Sequence, residues 1–100
     1  MYFITSIVHS GVKGGPKDCR CFGYFPDHLE ALEAVKHNVG SMQECLYDYL
    51  VIELIYKGIH PLAVEMDWFH WEKLSDGINF GWVKCNKPDF SCGLINWAFG

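Results

Sequence analysis

Tyr47-Asp48-Tyr49-Leu50-Val51-Ile52-Glu53-Leu54-Ile55-Tyr56 is the stretch that decides the fold. It is rich in β-branched and aromatic residues, which suit a pleated, packed surface. In extended geometry successive side chains point to opposite faces. Leu50, Ile52, Leu54 and Tyr56 then face one way, and Tyr49, Val51, Glu53 and Ile55 face the other. The run reads as the central strand of a sheet. Gly58 and Pro61 close it.

Upstream, Asp27-His28-Leu29-Glu30 is a capping box. Asp27 can accept from a first-turn amide and Glu30 can reach back. Leu29, Leu32 and Val35 mark the apolar face of the helix that follows, with Ala31 and Ala34 beside it and Glu33 and Lys36 outward. Asn38 and Gly40 suit its C-terminus. Ser41-Met42-Gln43-Glu44 offers a second capping box with room for only a turn or two. Met1 to Val8 alternates like a strand, and Cys19 to Phe25 reads as another that ends at Pro26. Gly11, Gly14, Gly15 and Pro16 mark the loop between them.

Downstream, Val64 to Lys73 and Ile78 to Cys85 read as paired strands around the hairpin signal Ser75-Asp76-Gly77. Leu94 to Phe99 is a short terminal strand or helix. The expected fold class is therefore α+β: an antiparallel sheet of four to five strands with one main helix packed on one face. Residues 1–100 form a single domain, a length at which a second core is implausible.

Composition narrows the function. Half of the residues are hydrophobic, and four Trp, five Tyr and seven Phe are many to hide in so small a body. Some are expected in a groove or at a subunit contact, which points to a homo-oligomer. The net charge is −4, and the eight Lys and Arg residues are scattered. With a pI near 5.6 the chain lacks the basic patch of a duplex nucleic acid binder. No basic n-region opens the chain and no apolar run is long enough to span a bilayer, so neither a signal peptide nor a membrane span is expected. Five irregularly spaced cysteines suit reduced thiols in a cytoplasmic protein.

Arg20, the only arginine, is the most informative single residue. Simple alternation sets it on one face with Phe22 and Tyr24. A guanidinium beside two rings can hold an anion and stack a planar group. The competing expectation is a cross-strand ion pair with Glu53 or Glu65. In Trp68-Phe69-His70-Trp71, Trp68 and His70 share one face and Phe69 and Trp71 the other. One face is expected in the core and the other in a groove or contact, with Phe80 and Trp82 adding to one of them. The expected ligand-binding set is Arg20, Phe22, Tyr24, His60, Trp68, His70 and Trp71. No catalytic residue is assigned.

Other chemistry is weaker. Cys19 and Cys21 with Cys85 and Cys92 fall short of the paired spacing of a structural zinc site, so no metal and no cofactor is expected. His9, His28, His37, His60 and His70 form no metal-binding motif. Nothing local supports a nucleophile pairing of Cys45 or Cys21 with His60. The loop from Gly11 to Asp18, with Lys13 and Lys17, can fold over a ligand near Arg20 but carries no phosphate-loop pattern.

Arg20-Cys21-Phe22-Gly23-Tyr24-Phe25, the segment Glu44 to Glu53, Gly58-Ile59-His60-Pro61 and Asn96-Trp97-Ala98-Phe99-Gly100 resemble a group of short uncharacterised proteins of phages and prophages of Gram-positive gut bacteria. The resemblance implies a setting, not an activity: small accessory phage proteins often blunt host defence. The leading expectation is a non-enzymatic protein that sequesters a small anionic, nucleotide-like signal of host antiviral defence in the host cytoplasm. Arg20 would hold phosphate, and Tyr24 or a tryptophan would stack the base. The alternatives are a protein inhibitor of a bacterial defence nuclease, and a small nucleotide-processing enzyme using His60 or His70 as acid-base.

Overall fold

The computed structural model describes residues 1–9, 16–42, 47–58, 62–88 and 96–99. Five strands and one helix follow one another as β1 (Tyr2–His9), β2 (Pro16–Phe25), α1 (His28–Lys36), β3 (Tyr49–Ile55), β4 (Ala63–Lys73) and β5 (Phe80–Cys85). All pairings are antiparallel, in the order β2-β1-β3-β4-β5, so β3 is central as its sequence requires.

The alternation along β3 sorts the core into two clusters. Leu50 and Ile52 join Ile4, Phe69 and Trp82 with Ala31, Ala34 and Val35 of α1. Val51 joins Ile7, Trp68 and Trp97, with Tyr49, Cys19 and Cys85 against them. Both sides of Trp68-Phe69 are therefore buried, at 3% and 8% exposure. The second cluster is closed by Asn96–Phe99, a segment outside any strand.

That segment is held by a charged residue. Glu53 is fully buried on the Val51 face, and its carboxyl accepts the Trp97 amide at 2.9 Å from each oxygen and the Ala98 amide at 2.9 Å. Burial pushes the Glu53 carboxyl up from its ordinary range, against the downward pull of the two amides. Asn96 Oδ1 accepts from the Phe99 amide at 2.9 Å, which bends the segment into a turn. Trp97 then stands edge-on to Trp68, with ring centroids 5.7 Å apart.

Two local expectations change. Asp27 caps α1 through the Leu29 amide at 3.4 Å, but Leu29 itself is 63% exposed. Ala31, Ala34 and Val35 are the buried residues of α1. In β2, Ile4 pairs with Gly23 and Thr5 with Cys21, so Phe22 is the extra residue of a bulge. The bulge reverses the alternation beyond it. Arg20 and Phe22 stay on the α1-cluster side, where Phe22 packs, whereas Tyr24 lies across the sheet against Phe3 with centroids 5.4 Å apart. Arg20, Phe22 and Tyr24 do not share a face.

The hairpin is as expected. Asp76 Oδ1 accepts from the Ile78 and Asn79 amides, each at 2.9 Å, and these bonds hold its carboxyl below the usual range. Gly77 takes the left-handed φ of 72° that the turn requires. Among the described residues no helix is long and apolar enough to cross a membrane.

Candidate functional site

The broadest described concavity is a groove of about 340 Å³ between α1 and the β4–β5 hairpin. Leu32, Val35 and Lys36 form one wall, Phe69 and Trp82 the floor, and Leu74 and Phe80 the other wall. The floor is set by register: Phe69, Trp71, Phe80, Trp82 and Lys84 fall on one face of β4 and β5. The helical spacing of Leu32 and Lys36 brings Lys36 over the same side, in the last turn.

Trp82 is fixed in place. Its Nε1 donates to Asn38 Oδ1 at 3.1 Å, and Trp71 meets it edge-on with centroids 5.1 Å apart. Asn38 sits just past α1 with a left-handed φ of 47°, and the same oxygen accepts the Met42 amide at 2.9 Å. One asparagine thus ends the helix and orients the groove floor. Gly81 sits tightly beside Leu74: a Cβ there would stand 3.0 Å from Leu74 Cδ2. Phe80 is 52% exposed, so a ring face is available to a ligand. Among the described residues no carboxylate lies within ion-pair distance of Lys36, so its charge is uncommitted. An aromatic floor with one free cation at its rim can receive a planar group bearing an anion.

The residues singled out from sequence do not form one site. Arg20 lies on β2, at the opposite edge of the sheet from β5. Its guanidinium rests over the Phe22 ring, 5.0 Å from the centroid. Neither Glu53 nor Glu65 pairs with it: Glu53 is committed to Trp97 and Ala98, and no described carboxylate is within reach. Tyr24 is 60% exposed on the far face. Trp68 is buried beneath Trp97 rather than lining a surface. His70 is on that same side, against the Tyr49 ring and 3.0 Å from Glu72. Trp71 meets Trp82 edge-on from the same face and does not line the groove. His60 lies outside the described residues, as do Cys45, Cys92 and the loop from Gly11 to Gly15. Cys19 and Cys21 stand on one edge strand and Cys85 on the other, so these thiols cannot share a metal within one protomer.

Two features escaped sequence reading. Lys36 passed as an outward helix residue, although its spacing from Leu32 and Val35 was the available signal. His28 Nε2 and Asp67 Oδ2 are 2.7 Å apart, with Lys84 Nζ 3.6 Å from the other Asp67 oxygen and Tyr2 stacked on the imidazole. These residues come from β1, α1, β4 and β5, so only the tertiary fold brings them together. The pair does not line the groove. A second concavity of about 180 Å³, on the other side of the sheet, is lined by Phe3, Ile55, Tyr56, Lys57 and Phe99 among others.

No protein-family profile matches the chain, and comparison with curated proteins and with solved structures gave no match.

Proposed function

We propose that this chain is a binding protein that captures a small planar anion of nucleotide type, in the groove between α1 and the β4–β5 hairpin. The observation that carries the reading is the groove itself: about 340 Å³, floored by Phe69 and Trp82, walled by Phe80 and rimmed by Lys36. Phe80 and Trp82 supply a stacking surface, and Lys36 supplies the charge for a phosphate. The reading takes α1 as the cover over this face of the sheet, with the groove at its open end. The resemblance to small phage proteins supports a setting in the host cytoplasm, where sequestering a nucleotide signal of antiviral defence requires binding without chemistry. Arg20 is across the sheet and serves no part of this groove in one protomer.

Thermal unfolding in the presence of ADP and of cyclic dinucleotides tests the reading, because a ligand of the native state must raise Tm. Lys36→Ala is expected to lower affinity about tenfold, the scale of one charge-assisted contact. A panel that leaves Tm unchanged removes the proposal.

One observation favours a second reading, an inhibitor that docks on a defence protein. Tyr24, Phe99, Val64 and Met66 are exposed at 60%, 60%, 54% and 39%, and the Phe3 ring links Tyr24 to Phe99. Exposed aromatics on an acidic chain suit a basic protein surface.

A further inference from the structure

We infer that β5 is a self-pairing edge: two copies join antiparallel through it into one ten-stranded sheet, and each gives Lys84 to the groove of the other. This deepens the groove reading above and rests on it.

The two edges of the sheet differ in readiness to pair. β2 has ten residues, two breaks in register and the charges of Asp18 and Arg20, all devices that blunt an edge. β5 is Phe80-Gly81-Trp82-Val83-Lys84-Cys85, six residues in unbroken register with one charge and no proline. The direction of its free backbone groups follows from the hydrogen bonds. The Leu74 amide donates to the Asn79 carbonyl, and the Trp71 amide donates to the Asp48 carbonyl on the β3 side. Even-numbered residues of β4 therefore address β5, and the odd-numbered residues of β5 address β4. The amides and carbonyls of Phe80, Trp82 and Lys84 point away from the sheet. Among the described residues nothing accepts from or donates to them.

A two-fold axis normal to the sheet at Trp82 pairs this edge with itself. Trp82 then faces Trp82 of the partner subunit, Phe80 faces Lys84 of the partner subunit, and Gly81 faces Val83 of the partner subunit. No like charges oppose each other, and each lysine stem covers a half-exposed phenylalanine. A register centred on Lys84 would set the two lysines face to face, which disfavours it. The axis keeps both α1 helices on one side of the joined sheet, so the two grooves open toward each other. Each groove has Lys36 as its own free cation, and Phe80 is its outer wall. Lys84 lies 3.6 Å from Asp67 Oδ1 of its own chain through an exposed side chain. In the dimer Lys84 of the partner subunit, opposite that wall and on the same face, exchanges that weak surface contact for a phosphate and so adds a second cation.

Sedimentation velocity and ADP calorimetry on the whole chain test this. The wild type is expected to sediment as a dimer at micromolar concentration. Lys84→Pro removes an outward amide without touching the β4 ladder, and is expected to be a folded monomer by circular dichroism. Should that variant not fold, Phe80→Pro at the first strand residue gives the same sedimentation test. Lys84→Gln keeps the edge and loses the charge, so it is expected to remain a dimer with about tenfold weaker ADP binding. A monomeric wild type, a dimer that persists in the proline variant, or a dimeric Lys84→Gln with full affinity overturns the proposal. If wild-type ADP binding is missing, the groove reading and the role of Lys84 in it fall together. The pairing of β5 then stands or falls on sedimentation alone.

Discussion

The two faces of β3 are closed by different means. Leu50 and Ile52 are covered by apolar side chains, including Ala31, Ala34 and Val35 of α1. Val51 and Glu53 lie under Asn96–Phe99, whose Trp97 packs on the second cluster while the Glu53 carboxyl takes two of its amides. Area removed from water closes the first face, and geometry around one buried carboxyl closes the second. An apolar contact tolerates small shifts. A carboxyl beneath two amides fixes position, and it makes that face sensitive to protons.

Substitutions separate the two mechanisms. Trp82→Ala removes a large ring from the first cluster and its bond to Asn38, so a loss of about 3–5 kcal/mol is expected in urea unfolding. That loss is expected to be the same at every pH at which the protein folds. An equally large loss that changes with pH would contradict an apolar closure of the first face. Glu53→Gln leaves one oxygen to serve two amides and adds a donor without a place, at a cost of about 1–3 kcal/mol.

This second cost should depend on pH, with a definite sign. The folded Glu53 carboxyl titrates above its ordinary range, so within that window the folded state holds more protons than the unfolded one. Wild-type stability therefore falls as pH rises through the window and levels off above it. Glutamine does not titrate, so the penalty of Glu53→Gln is largest at the acid end and shrinks toward neutral pH. Unfolding curves of both proteins across that range check this, and a penalty that grows with pH would reverse the assignment.

Two smaller changes sharpen the contrast. Gly81→Ala presses a methyl on Leu74, a half-exposed side chain that can move aside. A cost of about 1 kcal/mol or less is expected in urea unfolding. Arg20→Ala removes an exposed cation from the Phe22 ring and is expected to change stability by about 0.5 kcal/mol. A loss of several kcal/mol would show an ion pair with a residue outside those described.

Sequence made β3 legible because both of its faces are apolar and period two holds throughout. The hairpin was legible because Asp76 and Gly77 are demanded by the turn itself. β2 was misread at one residue: nothing in Cys21-Phe22-Gly23 announces that Phe22 has no partner, and a single extra residue carries Tyr24 to the other face. In α1 the sequence pattern placed Val35 correctly and Ala31 and Ala34 beside it, but Leu29, taken for the same face, is exposed. The groove was half visible. Phe80 and Trp82 shared a predicted face, but the place of Lys36 depends on how α1 docks, which no local pattern fixes. Glu53 was visible only as a polar residue in an apolar strand, since the amides that satisfy it come from residues 44 and 45 positions later.

That separation has a consequence for how the chain is made. Trp97 leaves the ribosome 44 residues after Glu53, when every strand of the sheet has already been synthesised. Until then Ile7, Val51 and Trp68 have no Trp97 to pack against, and the Glu53 carboxyl has water as its partner. Closing so long a loop is slow relative to hairpin formation. The Val51 face is thus completed last, and a chain stalled or trimmed short of Trp97 would present to chaperones and proteases an apolar surface with a carboxylate at its centre.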